Sequence, residues 1–272
     1  MSSLSDLLRR IQDLKNSIHV FEMGETSGKN ARTVKNIVDE SGMLIKELTS
    51  FREKISPIRF GRIGITLGRS DGIAKFFAFS FTSQEKRPLD TLAGSPFFGS
   101  GVYAIYYHGK AELAYLPISC TETPIYVGKA DPRNPQAETT EEQGNVLHAR
   151  IRDHANSMIK VNLPLKDFFF RASPIQTGMQ SAVEDFMIRL FRPIWNKEVK
   201  ICYGIGKHGD SAKTRANKRS PWDTMHPGRK WAEATTADQM QRHEIEAKIA
   251  EHFKAHPIVR DKEHLFKLLA LE

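Results

Sequence analysis

Six side chains in the middle of the chain have types and spacings that suit chemistry. Residues 101–107 read GVYAIYY and residues 124–130 read PIYVGKA, so each stretch places a tyrosine, Tyr103 or Tyr126, third in a short apolar run beside a glycine. Tyrosine favours strands and carries a polar tip, so this pair serves either packing or chemistry. Arg150 and His154 are four residues apart, neighbours on one face of a helix at the border between core and solvent. Glu184 follows Val183 and precedes Phe186, with Ile188 and Phe191 on its own side. A carboxylate so placed costs free energy unless a cation or a hydrogen-bond donor meets it. Asn196 stands just past the end of the same helix. Taken singly, each has an ordinary reading: a solvated helix edge, a carboxylate paired with a surface cation, an asparagine at a turn.

These residues must be carried by strands and helices in alternation. The stretches GVYAIYY and PIYVGKA read as strands, and if they pair, both phenols can project from one side of the sheet. The loop between them has room for an extra strand, AELAYL. A helix over NVLHARIRDHANSM follows, with the stripe Leu147, Ile151 and Met158. DFFFRAS, residues 167–173, reads as a further strand, and GMQSAVEDFMIRLF as a helix stopped by Pro193. A last helix is expected from Thr235 or Thr236, both good caps. Ahead of this block, Leu4, Leu7, Ile11, Leu14, Ile18 and Phe21 alternate spacings of three and four, and Val34, Ile37, Leu44, Leu48 and Phe51 form a second stripe. Between these helices and the first tyrosine strand, Ile63, Ile65 and Leu67, the RSDG turn, and Phe77, Phe79 and Phe81 predict a β-hairpin with one buried face, followed by a linker.

Composition bounds the remainder. Forty Lys and Arg against 32 Asp and Glu give a net charge of +8, which suits a polyanionic partner such as nucleic acid. Residues 201–231 concentrate that charge, with Lys207, Lys213, Arg215, Lys218, Arg219, Arg229 and Lys230 opposed only by Asp210 and Asp223. No apolar run approaches the ~18 residues of a membrane span, and the first residues lack a signal-peptide pattern. Cys120 and Cys202 are too few for a disulfide framework or an all-cysteine zinc site, so a cytoplasmic location is expected.

In this order and spacing, Gly101-Val102-Tyr103, Tyr126-Val127-Gly128, Arg150 with His154, Glu184 and Asn196 resemble the GIY-YIG nuclease superfamily over about residues 97–200. The strands SGVYAIYYHG and PIYVGKA, the helix VEDFMIRLFRPIWN and the tail SPWDTMHPGRKWA are similar to its branch of type II restriction endonucleases that cut GC-rich palindromes, widening the match to roughly 94–232. The fold class implied is α/β (α+β): a small mixed sheet flanked by helices. The expected organisation is a helical region at 1–55, the hairpin and linker at 56–96, the catalytic core at 97–200, and a basic DNA-recognition extension with a C-terminal helix at 201–272.

The resemblance also implies roles. Glu184 would be the only protein ligand of one Mg²⁺ per site, with waters and phosphate oxygens completing the shell. Arg150 would clamp the phosphate, since a planar guanidinium suits two oxygens. Tyr103 would act as general base with His154 taking its proton, which requires its pKa, near 10 when free, to fall by about three units, roughly 4 kcal/mol. Tyr126 would donate a hydrogen bond to the phosphate or the water, and Asn196 would position the substrate or the Glu184 carboxylate. Lys129 either contacts phosphate or is a solvated strand-end lysine. Lys213, Arg215, Lys218, Arg219 and Arg229 are the DNA-binding candidates, with Arg215, Arg219 and Arg229 foremost for reading bases. Trp222 and Trp231 are read as packing anchors, His148 and Arg152 as surface residues, and His108 as a turn residue. Double-stranded DNA is the expected partner, CCGCGG the candidate target, and a homodimer or tetramer the expected assembly, built in part by the N-terminal stripes. A cognate methyltransferase is implied as a functional companion. The alternatives are a homing or repair nuclease of the same superfamily, a catalytically silent DNA-binding module, and a basic interaction protein.

Overall fold

The computed structural model describes residues 4–23, 31–55, 70–111, 114–175, 178–206, 218–235 and 237–270. Two compact units divide the chain, Met1–Ile63 and Gly64–Glu272. The first holds two long helices, α1 (Leu4–Met23) and α2 (Ala31–Ile55), as their three-and-four spacing predicts. Within that unit Leu8, Ile11, Leu14 and Ile18 of α1, and Ile37, Met43, Leu44 and Ile45 of α2, all remain substantially exposed.

The second unit begins with α3 (Ser70–Ser83), then runs β1 (Arg87–Pro88), β2 (Gly101–Tyr107), β3 (Tyr126–Ala130), α4 (Thr140–Gln143), α5 (Val146–Ile159), β4 (Phe168–Pro174) and α6 (Gln180–Phe191). The extension adds β5 (Lys218–Arg219), α7 (Pro221–Met225), α8 (Lys230–Glu233), β6 (Ala237–Asp238), α9 (Arg242–Ala255) and α10 (Lys262–Ala270). The main sheet has the order β1-β4-β2-β3 and is antiparallel at every pairing, where a mixed sheet is expected. Among the described residues a parallel pair occurs only in the two-residue ribbon of β5 and β6.

Strand β2 is central and buried along its whole length. Because side chains alternate across a strand, Tyr103, Ile105 and Tyr107 join one core with Leu147, Ile151 and Met158 of α5 and with Trp195 and Trp222. Val102, Ala104 and Tyr106 face the other way, onto Val183, Met187 and Phe191 of α6 and Ala78 and Phe81 of α3. The sheet is thus sandwiched, and its edges are β3 and the two-residue β1.

The predicted hairpin is corrected. Its first half, Ile63, Ile65 and Leu67, lies outside the described residues, and its second half is the helix α3. Ala78, Phe81 and Thr82 are buried there while Phe76 and Phe79 stay exposed, a helical period that the alternation of three phenylalanines conceals. Phe79 is in turn covered at one side by Phe266 of α10, with ring centroids 4.8 Å apart. Of the expected strand AELAYL, Glu112 and Leu113 lie outside the described residues, Ala114 and Tyr115 form a turn, and Leu116 opens the 3-10 segment Leu116–Ile118. The last helices start later than Thr235 suggests: α9 is capped by Gln241, reciprocally with Glu244, because Ala237 and Asp238 are taken up by pairing with β5. The linker before β2 is partly ordered by burial of Leu89 and Leu92 in a 3-10 turn.

Candidate active site

The two glycines that accompany the tyrosines are there for room. In the β2–β3 register Tyr103 lies opposite Gly128. A Cβ on Gly128 would stand 2.6 Å from the Tyr103 hydroxyl and 2.9 Å from Tyr126 Cε1, so only glycine lets both rings lie over this part of the sheet. At Gly101 a Cβ would come 2.1 Å from the Ser173 carbonyl oxygen, because β4 approaches closely there.

Helix α5 lies on the same side of the sheet and brings Arg150 and His154 to the phenols. The Tyr103 hydroxyl is hydrogen-bonded to His154 Nε2 at 2.7 Å. The Tyr103 and Tyr126 rings are 5.9 Å apart between centroids, and the Tyr126 ring is 4.7 Å from His154. Burial pushes the Tyr103 phenol well above the ordinary tyrosine range, Tyr126 adds to this, and the Arg150 guanidinium opposes it without prevailing. The lowering that the role of base requires would therefore have to come with a bound phosphate and cation, beyond what Arg150 supplies in the protein by itself. Tyr126 is raised in the same way, by burial first, with Arg150 again pulling down.

Glu184 reaches the site from α6, on the other side of the sheet. An open cleft of about 480 Å³ at the β3 edge is lined by Tyr126, Lys129, Asp131, Arg150, Asp153 and Glu184, among others. Burial raises the Glu184 carboxyl to about 7, eased by Lys129 and reinforced by Asp185, Glu198 and Asp131. A half-buried oxygen donor whose ionisation needs a nearby positive charge fits a hard divalent cation. Among the described residues no three His, Cys, Asp or Glu side chains are grouped to hold a metal. Lys129 is placed at the cleft rather than in bulk solvent, with its ammonium 2.8 Å from both Asp131 Oδ2 and Ser181 Oγ.

Asn196 is not in the cleft. Its Oδ1 accepts from the Val127 N–H at 2.9 Å and its Nδ2 donates to the Val127 carbonyl at 2.8 Å. The side-chain amide thereby mimics a fifth strand on the open edge of β3 and holds the residue between Tyr126 and Gly128. Its expected contact with substrate or Glu184 is corrected accordingly: the amide is spent on backbone. Asn196→Ala leaves two buried backbone groups unsatisfied, and urea unfolding is expected to show a loss of roughly 2–4 kcal/mol.

The DNA-binding candidates separate sharply. Lys213 and Arg215 lie outside the described residues, and Lys218 is exposed. Arg219 is engaged by Asp238 through two hydrogen bonds, at 2.6 and 3.2 Å. Arg229 is only 3 % exposed and is bonded to Asp223 at 2.6 Å, so its assignment to base reading is corrected. Trp222 is fully buried, as a packing anchor should be, and Arg229 lies over both the Trp222 and Trp231 rings. His148 is likewise no surface residue: it is buried and its Nε2 is 3.0 Å from the Leu92 carbonyl oxygen. Arg152 is exposed as expected, and His108 follows β2 in stacking contact with Phe169. The buried pair of Asp223 and Arg229 was missed by reading charge as surface. The available signal was Ser220-Pro221-Trp222-Asp223, a helix cap that draws one of the segment's few acids inward.

Residues 95–253 match the family model of the Eco29kI GIY-YIG domain. That span takes in β2 to β4, α5 and α6, and the extension through most of α9. No curated protein matches the chain. Among the described residues, no helix is long and apolar enough to cross a membrane.

Proposed function

Since the chain belongs to the Eco29kI GIY-YIG family, a family of type II restriction endonucleases, we propose that it makes site-specific double-strand cuts in DNA by Mg²⁺-dependent phosphodiester hydrolysis, at a GC-rich palindrome such as CCGCGG. The observation that carries this reading is convergence: two strands and α5 bring Tyr103, Tyr126, Arg150 and His154 together, and Tyr126, Arg150 and Glu184 border one cleft.

Arg150 grips the scissile phosphate with its planar fork and offsets the charge that builds on it. Tyr103 accepts a proton from the attacking water as its own phenolic proton passes to His154 across the 2.7 Å hydrogen bond. Because burial holds the phenol protonated, the two transfers occur together once DNA is bound, and no tyrosinate need exist beforehand. Tyr126 donates to the phosphate or the water. Glu184 would hold a single divalent cation, which would supply stabilisation of the leaving 3′ oxygen. Asn196 keeps the Tyr126–Gly128 strand in place. A palindromic target calls for two copies, each cutting one strand, in a homodimer or tetramer to which the apolar stripes of α1 and α2 contribute. The protein works in the cytoplasm beside a methyltransferase that protects the same sequence.

The test is digestion of unmethylated plasmids by purified protein, with Mg²⁺ or with EDTA, alongside Tyr103→Phe and His154→Ala. Discrete fragments are expected from wild type with Mg²⁺ only, and each variant should cut at least 10²-fold more slowly. Retained DNA binding without any cleavage would instead make the chain a silent DNA-binding module.

A further inference from the structure

The segment Gly204–Gly206 lies between α5 and the start of the basic extension, with the Ile205 side chain buried in the same core as Leu147 and Ile151. A Cβ on Gly206 would lie 3.3 Å from His154 Cε1 and 3.6 Å from Arg150 Nη2, so the Gly206 backbone rests directly against the catalytic pair. What holds it there is Arg229: Nη1 donates to the Ile205 carbonyl at 2.9 Å and Nη2 to the Gly204 carbonyl at 3.0 Å. Arg229 Nε is in turn bonded to Asp223 Oδ1 at 2.6 Å, and the other Asp223 oxygen accepts from Ser220 Oγ at 2.5 Å. Gly204 has φ +123°, and a Cβ there would strike the Ser220 hydroxyl at 2.2 Å, so the turn seats closely on the cap of α7.

A buried ion pair contributes little net stability compared with apolar packing, so its value lies in the geometry it enforces. Here the guanidinium's planar fork spans two successive carbonyls, a task for which a lysine ammonium is unsuited. Beyond Gly206 the sequence carries Lys207, Lys213, Arg215, Lys218 and Arg219.

We infer that the Asp223–Arg229 pair is a positioning device for catalysis: it presses the Gly204–Gly206 backbone against Arg150 and His154, so that the placement of the catalytic pair depends on the DNA-recognition extension. This rests on the nuclease reading above. Arg229 acts through the backbone and touches no reacting atom.

Steady-state cleavage of a duplex carrying the site found by plasmid digestion, fluorescence anisotropy of the same duplex in EDTA, and thermal melting test the inference on Gly206→Ala and Arg229→Lys. Alanine at 206 leaves the ion pair intact and pushes His154 by a few tenths of an ångström. It is expected to lower kcat at least tenfold, with KM and DNA affinity within about twofold and the melting temperature within about 2 °C. Arg229→Lys keeps the charge but loses the fork, and should lower kcat in the same sense. In the double variant the two losses should fall short of multiplying, because both act on one contact. Gly206→Ala cutting at the wild-type rate, or raising KM with kcat unchanged, overturns the inference while leaving the nuclease reading in place. A wild type that cuts nothing sinks both. An Arg229→Lys variant that folds and keeps the wild-type kcat overturns the role of the ion pair, and Gly206→Ala still tests the backbone contact if Arg229→Lys fails to fold.

Discussion

Glu184→Gln should abolish Mg²⁺-dependent cleavage, by 10³-fold or more, and at the same time make the protein harder to melt at pH 8. The loss follows from removing the one carboxylate that borders the cleft from α6 and fits the cation. The gain follows from the cost of keeping that carboxylate ionised in a half-buried place. Its folded pKa is about 7 against an ordinary 4.5, so ionisation is harder in the folded state. The raised value contributes stability that is fully present below pH 4.5 and is lost as pH rises through 7. Linkage sets a ceiling of ~3 kcal/mol, and partial solvent access reduces it to roughly 1–2 kcal/mol. Glutamine cannot ionise, so the variant should match wild type near pH 4.5 and exceed it at pH 8. Added Mg²⁺ should raise the melting temperature of wild type at pH 8 and leave Glu184→Gln unmoved. A glutamine variant that cuts normally would remove Glu184 from the site.

Gly128→Ala should be nearly as damaging although it deletes no functional group. The new methyl would stand 2.6 Å from the Tyr103 hydroxyl and 2.7 Å from Cζ of the same ring. Tyr103 is fully buried between the sheet and α5, so the ring has no open direction in which to retreat. Overpacking of this kind costs about 1–3 kcal/mol, and the ring shift breaks the hydrogen bond to His154. Cleavage should fall at least 10²-fold, with anisotropy in EDTA showing DNA affinity within a few-fold of wild type. Near-normal turnover in this variant would mean that the Tyr103–His154 hydrogen bond is dispensable.

Together these outcomes distinguish groups that react from groups that hold. Tyr126, Arg150 and Glu184 border the cleft, with Tyr103 and His154 buried beside the Tyr126 ring, whereas Asn196 fixes backbone and Gly128 and Gly206 leave room for the side chains packed on them. Stability assays separate the two sets. Asn196→Ala weakens the fold because Val127 loses both of its edge hydrogen bonds, while Glu184→Gln strengthens it.

Sequence by itself determined the elements that carry the site. GVYAIYY became β2 over those same residues, and the stripe Leu147, Ile151 and Met158 became the buried face of α5, because strand and helix periods are local properties of the chain. The order of tyrosines, Arg150, His154 and Glu184 was legible through its resemblance to the GIY-YIG superfamily, since each residue taken singly has an ordinary reading. Tertiary structure alone decided who partners whom. Three phenylalanines in alternation became helix α3 because α6 and α10 offered it a face to bury. Arg219 and Arg229, free cations on paper, were claimed by Asp238 and Asp223, and Asn196 was claimed by a strand edge 69 residues away. Hydrogen-bonding demand and burial are set by the folded surroundings, so neither the direction of the Tyr103 pKa nor the role of Asn196 could be read before the sheet closed around them.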